Sequence, residues 1–340
     1  MTTLASAATG SRWKVNSSDE GMSLHDRLVR DVRCGMFAES PTLPPRWFYD
    51  CIGSRLFERI TMLPEYYPTR RETEILAERA DEIAHQSGAS TLVEFGSGTS
   101  TKTTLLLDAF TSSGRHLLFV PIDISTAVLT EAAAKIAMRY PNVTVTPLAR
   151  DFDDPLRRLP GTPGERIVVF LGGTIGNFDS VHRRGFLRQL RRALAPGDQF
   201  LLGADLVKDE KTLLRAYDDS AGVTAEFNRN VIEVLRRELH ATGLDPDNFD
   251  HVVRWNAARE RVEMWLRARD PVYATFPDIG EWQLPAGKEM LTEISVKFRR
   301  PRLRRELESA GFRVLSIWTD ARQQFSLTLA EAWCPAQSNN

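Results

Sequence analysis

The sequence predicts an α/β protein: a doubly wound, mostly parallel sheet interrupted by a second, smaller lobe. Three observations predict it. From about residue 90, short apolar runs alternate with stretches of helical period, the order of βαβ units. That order stops after "GADLVKDEKTLLRAYDD" and resumes near Pro301, which brackets an insertion over about residues 208 to 297. The chain then closes with "LESAGF" and two apolar runs, the pattern of a helix followed by a hairpin.

Taken in order, residues 1–22 are small and polar and are expected to be a disordered tail. Two helices, "LHDRLVRDVRCGMF" and "PPRWFYDCIGSRLFERIT", are expected to pack with the insertion. They place 23–69 with 208–297 in the smaller lobe, and 70–207 with 298–336 in the doubly wound domain. "TLVEF" is a buried strand ended by "GSGTS", and "TKTTLLLDAF" a helix. Strand "HLLFVPIDI", helix "AVLTEAAAKIAMRY" and strand "VTVTPLARDF" come next. They are followed by strand "RIVVFLGGTIGNF", a helix through "RRGFLRQLRRAL" and strand "DQFLLGADLV". In that basic helix Phe186, Leu187, Leu190 and Leu194 form the buried stripe, so its arginines are expected on the wet face.

The insertion holds a long helix, "AEFNRNVIEVLRRELHATG", and a hairpin, "HVVRWNAARERVEMWLRARD". A loop with Pro and Gly then leads to the alternating strand "EMLTEISVKF". Alternation puts Thr292, Ile294, Val296 and Phe298 on an apolar face and Glu293 with Ser295 on the other. Pro301 suits the first turn of helix "RLRRELESAG". Strands "FRVLSIWTD" and "FSLTLAEAW" end the fold.

Bulk properties narrow the function. A net charge of -1 argues against a non-specific nucleic-acid binder. Three scattered cysteines and six dispersed histidines make neither a disulfide framework nor a metal site. No apolar run approaches the ~18 residues of a membrane span. A cytoplasmic monomer without metal, acting on a small molecule, is expected.

Ligands of such sheets sit beyond the carboxyl ends of the strands. Gly96 and Gly98 form the turn after the first strand, but Thr101 stands where a dinucleotide fingerprint needs its third glycine. This disfavours a nicotinamide oxidoreductase. Asp123 ends the second strand, where it can accept from ribose hydroxyls or cap the next helix. Asp151 and Phe152 end the third, an acceptor for an adenine amino group and a cover for its ring. Lys102 lies at the start of the helix after the first strand, either near a ligand carboxylate or in solvent. Taken together the three strand ends resemble the S-adenosylmethionine site of Rossmann-like methyltransferases.

Longer stretches are more specific. "PPRWFYD", "LPEYYPTRRETEIL", "VEFGSGTSTKT", "FLGGTIGN", "LLGADLVKD", "AYDDSAGVTAEFNRN", "VEMWLRA" and "EMLTEISVKF" together resemble the histidine Nα-methyltransferases, from about residue 24 to about 331. The resemblance implies a Rossmann-like class I methyltransferase sheet with an inserted, smaller α+β substrate-binding domain. It implies trimethylation of L-histidine to hercynine, the first step of ergothioneine biosynthesis, with S-adenosyl-L-methionine as methyl donor. By that resemblance Gly96, Lys102, Asp123, Asp151 and Phe152 bind the donor. Asn177 and Tyr217 hold the histidine carboxylate, Tyr66 touches the substrate, and Glu293 and Ser295 read the imidazole beside Met264. Tyr49 or Tyr66 would accept a hydrogen bond from the amine and guide its lone pair, whereas Tyr67 is expected to be an ordinary core aromatic. An imidazole N–H is a donor that a buried carboxylate accepts strongly. The alternatives are an Nα-methyltransferase of a tryptophan-like amino acid and a non-catalytic cofactor-binding module.

Overall fold

A computed structural model describes residues 16–17, 22–151 and 159–333. The expected tail and Phe152 fall wholly or largely outside the described residues. The first elements are a two-residue strand, β1 (Asn16–Ser17), and α1 (Leu24–Asp31), which Ser23 caps and which runs into a π-turn over Val32–Met36. One helix is predicted through "PPRWFYDCIGSRLFERIT", but two form: a 3-10 turn, Pro45–Phe48, and α2 (Cys51–Met62). Asp50 causes the break, because its carboxylate accepts from the Gly53 N–H at 2.7 Å and caps a fresh helix. The break leaves Tyr49 outside both helices.

After α3 (Tyr67–Ser87) the α/β order unfolds as β2 (Thr91–Phe95), α4 (Thr103–Thr111), β3 (Leu117–Asp123) and α5 (Thr126–Arg139). The predicted strand "VTVTPLARDF" is split into β4 (Val143–Val145) and β5 (Leu148–Ala149), because Pro147 has no N–H to donate to a ladder. Then come β6 (Arg166–Phe170), a 3-10 turn over Thr174–Asn177, α6 (Ser180–Ala193) and β7 (Gln199–Asp205). The insertion holds α7 (Glu210–Tyr217), α8 (Val223–Glu238), β8 (Phe249–Asn256) and β9 (Arg261–Ala268). A loop is predicted next, yet Val272–Phe276 and Gly280–Leu284 pair as the hairpin β10 and β11. Its inward Val272, Ala274, Phe276, Trp282 and Leu284 are buried, so core packing overrides the local Pro and Gly signal. β12 (Glu289–Val296), α9 (Arg300–Ser309), β13 (Phe312–Thr319) and β14 (Phe325–Ala332) complete the chain.

The main sheet runs β1-β5-β3-β2-β6-β7-β14-β13, with β4 also on β3. β3, β2, β6 and β7 are parallel, while β14 and β13 return antiparallel as the sequence predicts. Ile83, Leu107 and Leu117 belong to the core on one face, and Phe170, Leu190 and Phe200 to that on the other. A third core joins α1, α2 and the insertion through Leu28, Leu56, Ile232, Phe249 and Leu266. Burial of this kind stabilises by roughly 25 cal/mol per Å² of apolar surface.

The arginines of α6 correct the expectation of a uniformly wet face. Arg184, Arg188 and Arg192 are exposed, but Arg183 is 1% exposed and donates to Glu306 of α9 at 2.7 and 3.1 Å. Arg191 donates to the carbonyls of Gly311 and Trp333. Both tie α6 to the end of the fold.

One junction positions the site. Beyond β12, the Phe298 N–H donates to the Asp205 carbonyl at 2.8 Å and the Val207 N–H to the Phe298 carbonyl at 3.0 Å. The insertion thus returns directly onto the carboxyl end of β7. Among the described residues no helix is long and apolar enough to cross a membrane.

Candidate active site

The carboxyl ends of β2, β3, β6 and β7 meet the inner face of the insertion. Gly96 and Gly98 turn the chain after β2 with φ of +64° and +47°, and nothing lies within 4 Å of where a Cβ on Gly98 would stand. Asp123 closes this turn, accepting from the Gly98 N–H and the Ser125 N–H at 2.9 Å each. It therefore caps locally as well as facing the turn, and burial raises its pKa. Around the same turn Glu94 Oε2, Ser97 Oγ and Ser100 Oγ are buried without a hydrogen-bond partner. Burial pushes the Glu94 carboxyl up to about 8, although Thr103 donates to it at 2.5 Å. Orphaned polar atoms beside an open glycine turn fit a polar ligand.

Lys102 is only partly exposed and not alone: it forms an ion pair with Glu72 of α3. Glu72 is fully buried and also accepts from the Gly172 N–H at 2.9 Å. Gly203, inside β7, makes room for it, since a Cβ there would collide with the Glu72 carboxylate. Asp151 is buried and paired with Arg46, with Arg27 Nη1 at 3.8 Å. Neither Glu72 nor Arg46 was anticipated, although the glycine inside strand "FLLGAD" was a usable signal.

The insertion supplies the other wall. β12 pairs with β9 so that Glu293 lies directly opposite Met264, on one face of the ladder. A β-bulge between Leu291 and Glu293 interrupts the predicted strict alternation, and Thr292 there bonds Asn228 and the Met264 carbonyl. Downstream the alternation holds, and the polar face it leaves is buried. Glu293, Ser295 and Lys297 are 9%, 5% and 0% exposed. The continued period of two pointed to Lys297 as well.

Glu293 has no hydrogen-bond donor among the described residues. Burial raises its pKa to about 7, against the lowering pull of the Lys297 charge. Tyr49, Tyr66 and Tyr217 face the same space. Burial lifts all three phenols well above 10, and the Glu293 charge adds to it. They stay protonated at neutral pH, so they donate or accept hydrogen bonds and do not act as anionic bases. The Tyr66 and Tyr217 rings meet edge to face with centroids 6.3 Å apart. Asn177 is half-buried at the end of its 3-10 turn. That turn presses on β12 at Gly176, where a Cβ would lie 2.8 Å from the Val296 carbonyl.

Behind this wall lies a network absent from the sequence-based expectations. Lys297 Nζ donates to Tyr217 Oη at 2.7 Å, Ser295 Oγ at 2.8 Å and Asp205 Oδ2 at 2.8 Å. Asp205 also accepts from Tyr67 Oη at 2.7 Å and pairs with Lys208. Tyr67 is thus a hydrogen-bonded member of the cluster and not merely a core aromatic. Burial next to Lys297 brings the Lys208 pKa down to about 8, partly offset by Asp205. Among the described residues no group of His, Cys, Asp and Glu could hold a metal ion.

Residues 28–332 match the family of histidine-specific, S-adenosylmethionine-dependent methyltransferases. The chain is 50% identical over 309 residues to the histidine N-alpha-methyltransferase of Mycolicibacterium smegmatis, covering 91% of this chain and 96% of that one. It is 30% identical to ergothioneine biosynthesis protein 1 of Neurospora crassa over 82% of this chain and 32% of that one. It is 26% identical to the 4-dimethylallyltryptophan N-methyltransferase of Claviceps purpurea, over 72% and 78% respectively.

Proposed function

The chain belongs to the histidine-specific, S-adenosylmethionine-dependent methyltransferases, and from that premise we propose that it trimethylates the α-amino group of L-histidine to hercynine for ergothioneine biosynthesis. The observation that carries the substrate is Glu293, a buried carboxylate with no donor among the described residues and a pKa of about 7. A ring N–H supplies the missing donor, and a side chain without one leaves the carboxylate unpaired, at a cost of about 1–3 kcal/mol or more.

S-adenosylmethionine supplies an electrophilic methyl on a sulfonium. Gly96 and Gly98 would let it approach the turn, Asp123 would meet its ribose, and Asp151 its adenine. Lys102, held by Glu72, would face its carboxylate end. On the other wall Asn177 would donate to the histidine carboxylate, with Tyr217 beside it, while Glu293 and Ser295 would take the imidazole over Met264. Tyr49 and Tyr66, kept neutral by burial, would accept an N–H of the substrate amine and so aim its lone pair. Such alignment can supply up to roughly 7–11 kcal/mol of a displacement barrier. The product's quaternary ammonium would sit among the same aromatic rings. The enzyme would work as a cytoplasmic monomer, without metal.

Mass spectrometry of the protein incubated with the methyl donor and a panel of free amino acids tests this. Histidine gaining three methyl groups, with tryptophan untouched, is the expected result. Methylation of tryptophan in preference to histidine would overturn the assignment of Glu293.

A further inference from the structure

We propose that Lys297 is a positioning residue that turns Tyr217 and Ser295 into hydrogen-bond donors, so that the site accepts the neutral imidazole and rejects rings without a lone-pair nitrogen. The proposal rests on the histidine assignment above and deepens it. Lys297 is fully buried, and its three N–H bonds are all used, on Asp205, Tyr217 and Ser295. Each hydroxyl oxygen therefore already has a donor. Tyr217 Oη and Ser295 Oγ lie 2.8 Å apart, a bond that uses one of their two hydrogens.

The second hydroxyl hydrogen has no acceptor among the described residues. Where Tyr217 donates to Ser295, Ser295 Oγ accepts from both Lys297 and Tyr217, so it has no lone pair left for a ligand N–H and its own hydrogen is free for a ligand lone pair. Two positions earlier on the same strand face, Glu293 has the opposite need, an acceptor without a donor. One wall thus asks for a ring with one N–H and one bare nitrogen. Neutral imidazole has both, whereas imidazolium, pyrrole and indole have only donors. Asp205 anchors the ammonium from the methyltransferase side, and Tyr67 and Lys208 complete that carboxylate. The discriminating element is therefore built across the junction of the sheet and the insertion.

The test compares histidine with the two pyrrolylalanine isomers, in each of which one ring nitrogen is replaced by C–H. Wild-type protein is expected to prefer histidine over both by at least ~10-fold in kcat/KM, the scale of one hydrogen bond to a polarised group. Lys297→Met is expected to raise the histidine KM ~10–100-fold and to shrink the preference over the isomer that keeps its N–H toward Glu293 to within ~3-fold, while the preference over the other isomer stays, with unchanged affinity for the methyl donor by calorimetry. Equal use of histidine and either pyrrole isomer by wild type would overturn the proposal, and that arm needs no variant. A Lys297→Met protein that loses stability but keeps the full preference would also overturn it, leaving Lys297 a structural role only. No methylation of histidine by wild type would instead sink the assignment on which the proposal rests.

Discussion

A buried carboxylate at the amino end of the central sheet and two that line the site are treated in opposite ways. At the amino end, Asp198 is fully buried and fully bonded. It accepts from the N–H groups of Gly164, Arg166 and Ala195 and pairs with the Arg166 guanidinium at 2.6 Å. In the site, Glu94 has an oxygen without a partner and Glu293 has no donor among the described residues. Both are pushed up, to about 8 and about 7. Closed hydrogen bonding at Asp198 stabilises the fold, and open hydrogen bonding at Glu94 and Glu293 leaves capacity for a ligand at the expense of stability.

Substitutions can break that contrast, and the largest effect belongs to the closed end. Asp198→Ala leaves Arg166 buried and unpaired and is expected to destabilise the protein by about 3–5 kcal/mol in denaturant titration. The folded fraction should keep its kcat and KM for histidine. A change in KM with intact stability would mean that the amino end is not merely structural.

Next in size is Glu293→Gln in the site. Histidine kcat/KM should fall by ~10²-fold, because the ionised acceptor is lost. Stability should move the other way. The folded pKa of Glu293 is raised from 4.5 to about 7, so the stability its protonated form provides is complete below 4.5 and lost as pH rises through 7. At pH 8 Glu293→Gln should therefore be more stable than the parent by on the order of 3 kcal/mol, and at pH 4 no different. Thermal melts at the two pH values check the sign. In the parent, kcat/KM should drop as pH falls below 7, since the carboxylate form accepts the ring N–H.

Gly203→Ala sharpens the comparison within one strand, midway between its ends. Its Cβ would enter the space of the Glu72 carboxylate, so about 1–3 kcal/mol of stability should be lost. Weaker binding of the methyl donor should accompany it through Lys102, measurable by calorimetry. The smallest effect belongs to the outer surface: Arg188→Ala on α6 should change stability by less than about 0.5 kcal/mol and leave activity alone. By contrast Arg183→Ala, on the same helix but ion-paired in the interior, should be clearly destabilising.

Most of the sheet was legible because its signals are local. Apolar runs, the glycine turn and the period of two in "EMLTEISVKF" belong to single elements. The pairing of Glu293 and Ser295 on one face followed from alternation alone, while their common purpose came from the family resemblance. Helix breaks were less legible. The cap at Asp50 that frees Tyr49 competes with a helical pattern running through it, and the β10–β11 hairpin is held by a core its own residues do not reveal.

By itself the sequence determined the α/β order, the strand ends where ligands gather, and which side chains share a strand face. The tertiary structure alone decided what each face meets. Lys297 lies 92 positions after Asp205 and yet reaches it, Glu72 fills the gap left by Gly203, and Arg46 from the N-terminal segment pairs with Asp151. Periodicity is set by the geometry of one backbone segment, so it survives in the sequence. Which charge lies opposite which is set by how distant elements dock, and no local pattern encodes that.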